Sequence, residues 1–341
     1  MLTLLLFSAL LQDSAASDRE KQMEVLRTGH TQWQRDVAYR SECEWRRTAF
    51  DSEQEADAFA WNWETVDADK VVIARGHVAK LGQRIRVCYN PARPPESQRL
   101  AYPESRHAAL SDGVLRGVGY DEMANGRFEA IRTGANSRKF QLDRILVARA
   151  DYADRMLPSY CTVRSIGEAT PVRPLKMRLS DPFELSAYDN SSEAVVDEPV
   201  KTNARGNVEV VLSSGHDRTF VRRVLELTPT ERPLLISLIE SYVPLEEGAL
   251  PSGERIEVVI GDLIEIDGVG VPQKIRHKIV QRDGGVAVFE YRATSTVRPT
   301  LADFRMHVPK DVPLQGLSET SKLANQEYLG LDELSDRDIP N

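Results

Sequence analysis

Between Asn207 and Val297 six β-type runs follow one another with no room for a helix between them: Asn207–Ser213, Arg218–Thr228, Pro233–Val243, Arg255–Ile266, Val271–Gln281 and Val286–Val297. Turn-rich joints separate most of them, including Thr228-Pro-Thr-Glu-Arg-Pro233, Asp267-Gly268-Val-Gly270 and Arg282-Asp-Gly-Gly285. Parallel pairing needs crossovers of a dozen or more residues, so this spacing demands an antiparallel meander. Period-two alternation assigns faces. Ile256, Val258, Ile260, Ile264 and Ile266 share one, interrupted by Asp262; Ile275, His277 and Ile279 share another, with Lys274, Arg276 and Lys278 behind them as the expected wet side. Ala287, Phe289, Tyr291 and Ala293 extend the apolar surface.

The N-terminal half repeats the pattern less regularly. Val37, Tyr39, Ser41, Cys43 and Trp45 alternate with Ala38, Arg40, Glu42, Glu44 and Arg46, the signature of a half-buried strand. An acidic stretch around Asp51–Ala58 follows, then two β-branched runs, 70–81 and 83–89, joined at Gly82. Asn125-Gly126 marks a turn before a strand pair at 127–132 and 139–148. Residues 96–125 and 150–205 read as insertions of loop with short helices near Ser105–Leu115 and Pro182–Tyr188, because prolines recur and periodicity fades. Residues 18–33 carry a short helical pattern with Met23 and Leu26 on one side, expected to precede the single β domain at 34–308, and 309–341 reads as a polar, weakly ordered tail.

Before that helical segment stands the uncharged apolar run Met1–Leu11, followed by small residues with an Ala15/Ser17 pattern and then Asp18-Arg-Glu-Lys21. The layout is that of an export signal cut after Ser17, although no Lys or Arg precedes the run. The run is about half the ~20 residues a membrane span needs, and no later segment reaches that length, so the expectation is an exported, periplasmic or extracellular protein that is not integral to a membrane. A net charge of -8 argues against nucleic acid as partner. In such a compartment, Cys43, Cys88 and Cys161 permit at most one disulfide, with Cys43–Cys88 the pair to consider and three buried thiols the equal alternative.

The chemistry-bearing motifs are absent. The sequence holds no Gly-x-Ser-x-Gly, no phosphate loop, no His-Glu-x-x-His and no Cys-x-x-Cys, and its histidines, at 30, 77, 107, 216, 277 and 307, stand singly. We therefore expect no catalytic residue, no metal and no cofactor. Asp262 is the one anomalous side chain: in an apolar strand face it either marks a bend at Gly261 or makes a polar contact inside a cavity, with Arg223 or with a ligand head group.

The run GERIEVVIGDLIEIDGVGVPQKIRHKIVQRDGG, followed by FEYRATSTV and ADFRMHVP, resembles the closing strands of the LolA-like superfamily, which includes periplasmic lipoprotein carriers and related lipid-binding proteins. The resemblance implies a mainly β fold, a curved antiparallel sheet forming an incomplete β-barrel, with a few helices covering an apolar concave face that shelters acyl chains. The first functional expectation is accordingly a non-enzymatic extracytoplasmic protein that binds a lipid or lipidated protein. Tyr39, Trp45, Ile256, Val258, Ile260, Phe289 and Tyr291 are the candidate cavity residues, with Arg223 and Asp262 as polar members. Its rivals are an envelope-sensing or protein-interaction module on the same fold, favoured by a filled core, and an enzyme with a loop-assembled site around His107 or His216.

Overall fold

The computed structural model describes residues 16–62, 71–91, 120–133, 144–149, 195–196, 198–216, 219–244, 255–280, 284–310, 312–318, 321 and 326–339. The apolar run at 1–11, the helices expected at 105–115 and 182–188, and Cys161 lie outside these residues. The chain divides into two compact units. Met1–Asp36, Thr48–Asn62 and Arg173–Glu290 form the first; Val37–Arg47, Trp63–Val172 and Tyr291–Asn341 form the second.

The first unit opens with helix α1 (Ala16–Asp36) and contains the short α2 (Glu53–Ala58). Its strands are β7 (Val195–Val196), β8 (Lys201–Thr202), β9 (Val208–His216), β10 (Thr219–Leu227), β11 (Leu235–Pro244), β12 (Arg255–Ile266), β13 (Val269–Val280) and the beginning of β14 (Val286–Val297). They lie in the order β14-β13-β12-β11-β10-β9-β7, with β8 also on β9. All six runs of the meander are thus strands, and the pairs from β9 to β13 are antiparallel. The Asp267-Gly268 joint turns β12 into β13 with both residues at positive φ, 52° and 76°, a conformation Asp tolerates and Gly adopts freely.

The second unit contains most of β1 (Ala38–Phe50), β2 (Val71–Leu81), β3 (Arg84–Pro91), β4 (Tyr120–Ala124), β5 (Phe128–Thr133), β6 (Arg144–Arg149), the end of β14, β15 (Arg305–His307), β16 (Leu314–Gln315) and β17 (Tyr328–Gly330). The order is β16-β6-β5-β4-β3-β2-β1-β14, with β16 parallel to β6 and β15 paired with β17. Neither order returns to its own first strand, so the fold is mainly β and open rather than a closed barrel.

Three expectations change. First, 309–341 is not a loose tail: Val312, Leu329, Leu331, Leu334 and Ile339 are buried in one cluster with Met123, Phe128, Ile145 and Val147. Its apolar residues are spaced singly among charges, which hides them from a composition reading. Second, α1 is core material rather than a lead-in. Met23, Leu26, His30 and Trp33 form a buried stripe at helical spacing. Third, β4 lies inside a stretch read as loop. Asp121 and Glu122 mask its alternation, but it pairs with β3 and β5 and so completes the hairpin at Asn125-Gly126.

Candidate functional site

In the first unit the register of β9 to β13 places side chains in rows across the sheet. One row runs Val210, Leu225, Leu238, Val258, His277; the next runs Leu212, Arg223, Glu240, Ile256, Ile279. Directly paired antiparallel residues share a face. The face is therefore apolar with one ionic island, and apart from the half-buried Ile279 every member of both rows is buried. Phe289 continues the first row by stacking on the His277 ring, centroids 5.7 Å apart. Ile260 sits opposite Ile275 on the same face.

The ionic island is Arg223 with Glu240. The two are cross-strand partners, 1% and 0% exposed at the side chain, joined through Arg223 Nη2 to Glu240 Oε2 at 2.7 Å. Two charges out of water are tolerable only when paired this closely. The alternation of β10 puts Arg223 between Val221 and Leu225 on the buried face, so the sequence could have flagged it by the same reasoning that flagged Asp262. Glu240 was the missed partner, legible as a carboxylate among Leu238, Ile239 and Val243.

Helix α1 is tied to the turns at one end of these strands. His30 Nδ1 lies 2.9 Å from Pro233 O, and Trp33 donates Nε1–H to Gly270 O at 2.9 Å. The His30 and Trp33 rings stack at 5.4 Å, and Arg232 pairs with Asp36 at 3.1 Å. Burial pushes the His30 imidazole down to about 4 despite the Pro233 contact, so it is neutral at physiological pH. Gly29 sets the seating: a Cβ there would lie 2.5 Å from Glu231 O and 2.7 Å from Pro233 Cδ. Only a residue without a side chain allows that approach.

The opposite face of the same sheet carries α2. Lys274, Arg276 and Lys278, expected on a wet face, instead divide: Lys274 is partly exposed, while Arg276 and Lys278 are buried under α2. Lys278 Nζ reaches Glu53 at 2.9 Å, Asp57 at 3.1 Å and Glu257 at 2.8 Å; Arg276 donates to Ala56 O at 2.6 Å and to Asp57 at 3.3 Å. Burial works against ionisation of Asp57 and Glu257, yet their cationic partners outweigh it and hold both carboxyls below the usual range. The acidic stretch at 51–58 was the legible half of this clasp.

The remaining predicted site residues fall elsewhere. Tyr39, Trp45 and Tyr291 belong to the second unit, where Trp45 and Tyr291 pack with ring centroids 5.9 Å apart. Asp262 follows the first of its two readings, an exposed residue at a break in regular strand geometry beside Gly261: it holds a φ of 49° and pairs with Lys274 at 2.5 Å. Burial along β12 ends at Ile260: Ile264 is exposed and Ile266 half-buried, although the register keeps both on the face they were assigned, opposite Val271 and Val269. Cys43 and Cys88 are free thiols. They lie on β1 and β3 with β2 between them, about 9–10 Å apart across two strand spacings and beyond disulfide reach. Burial pushes the Cys88 thiol up to about 11, which keeps it protonated.

Among the described residues no three His, Cys, Asp or Glu side chains group as metal ligands, and no helix is long and apolar enough to cross a membrane. The chain matches no protein-family model and no curated protein. Among solved structures it is similar to a LolA superfamily protein from Nitrosomonas europaea, with a TM-score of 0.37 and 13% identity over 82% of this chain and 94% of that one. It is also similar to a DUF1329 family protein from Desulfovibrio piger, with a TM-score of 0.38 and 10% identity over 83% and 93% of the two chains.

Proposed function

We propose that this chain is a non-enzymatic, exported binding protein that shelters the acyl part of a lipid or lipidated protein on the β9–β14 face of its first unit, with α1 as the cover. The observation that carries the reading is the pairing of that wide apolar face with a helix that seats on the turns at the ends of its strands through His30, Trp33 and Asp36 and buries Met23 and Leu26. Each methylene transferred from water to such a face contributes about 0.8 kcal/mol, so a long acyl chain repays the apolar packing of Met23 and Leu26 that it displaces. The Arg223–Glu240 island then offers hydrogen-bonding groups to an ester or amide at the head of the chain.

The same face is filled as it stands, and that observation favours the second reading, a protein-interaction or envelope-sensing module with a permanent core. Native mass spectrometry of protein purified from its own envelope, with organic extraction of anything bound, separates the two. The acyl-binding reading expects an adduct of lipid mass, or a mass shift on adding a lipopeptide. A clean apo mass that neither lipid nor lipopeptide shifts rejects it.

A further inference from the structure

Strand β12 outruns its neighbour. Its pairing with β11 extends only from Arg255 opposite Ser241 to Val259 opposite Ser237, whereas its pairing with β13 continues to Ile266 opposite Val269. The ladder with β11 stops near that strand's own start at Leu235, while β12 runs on beside β13 in unbroken register through Asp262, which holds φ 49°. From Asp262 to Ile266 one edge of β12 therefore faces no strand among the described residues.

Such an edge presents a row of unmatched N–H and C=O groups, and proteins ordinarily blunt it with brevity, proline or lysine. This one is short but carries neither proline nor lysine. It carries Leu263 and Ile264, 42% and 38% exposed, side by side and so on opposite faces of the strand. Beside them stand the exposed carboxylates Asp262 and Glu265, the first engaged by Lys274. The edge is also held in place from behind. Trp33 bonds Gly270 O across the hairpin from Glu265, and Val271, opposite Ile264, is buried. A pre-organised edge costs a binding partner little ordering.

We propose that Asp262–Ile266 is a docking edge for an extended segment of a partner polypeptide in which apolar residues alternate with Lys or Arg, added to the sheet as a further strand. Backbone bonds along β12 supply the register, Leu263 and Ile264 give one apolar contact on each face, and the acidic fringe selects the sign of the partner. The fringe also turns away a second copy of the same edge, since like charges would face each other. The site lies outside the rows under α1 and stands independently of the acyl-binding reading.

Fluorescence anisotropy of the full chain with a labelled short peptide of alternating Val and Lys tests this. The expected result is saturable binding at low salt that weakens about tenfold at high salt. Ile264→Lys and Leu263→Lys, both at exposed positions, each weaken it about tenfold by opposing the peptide's charge and removing an apolar contact. A peptide of the same sequence N-methylated at every residue does not bind, a control that does not depend on how any variant folds. Amides between 262 and 266 gain exchange protection when the unmodified peptide is added. Absence of saturable binding, equal binding of the N-methylated peptide or of a Val/Glu peptide, or indifference to both Lys variants overturns the proposal.

Discussion

Glu240 carries a carboxylate at the middle of an apolar face and is joined across the strands to Arg223. Removing one member takes from the other its buried ion partner, which costs roughly 3–5 kcal/mol, whereas replacing both with apolar groups of similar volume is near neutral. Glu240→Gln should therefore lower the urea midpoint sharply, and Arg223→Met combined with Glu240→Leu should recover most of the loss. A single variant that costs under about 1 kcal/mol would mean that the pair is hydrated rather than buried. His30 gives a second residue-level prediction. Its folded value near 4 lies below the ordinary 6.5, so the unfolded chain takes up a proton first as pH falls. Stability attributable to His30 is complete above pH 6.5 and is lost between about 6.5 and 4, to a total of about 3 kcal/mol. Urea titrations at pH 7 and near pH 4.5 should show this loss in the wild type and a smaller one in His30→Gln; equal losses would place the pH response elsewhere.

At the scale of elements, Gly29 sets two effects against each other. Alanine is the better helix former by about 1 kcal/mol, yet its Cβ would meet the backbone of Glu231 and the ring of Pro233. Overpacking against backbone costs typically 1–3 kcal/mol, so Gly29→Ala should destabilise the protein and speed amide exchange in α1. A stabilised variant would mean that α1 does not seat on the 231–233 turn. The same element shows what the sequence hid. The 3.6-residue stripe from Met23 to Trp33 was readable, but that it belonged to the core was not, because its partners Pro233 and Gly270 lie more than 200 residues away. The strands from 207 to 297 were legible because alternation and turns agree locally. The β12 break was not, because it depends on where β11 begins, and the burial of Lys278 was not, because its carboxylate partners come from α2.

For the molecule as a whole, the mainly β open architecture was readable from the meander, while the division into two units was not. Strands β1 and β14 each contribute residues to both units, and no linker or change in composition marks the boundary. The acyl-binding proposal concerns the β9–β14 face of the first unit, with Ile256, Val258, Ile260 and Phe289. Photolabelling with a palmitic acid analogue carrying a diazirine near its methyl end, mapped by peptide mass spectrometry, tests it most directly. The account predicts label on Met23 or Leu26 and on β12 between Ile256 and Ile260, competed away by unlabelled fatty acid. Label confined to exposed positions such as Leu263 and Ile264, or no competable label at all, would contradict it.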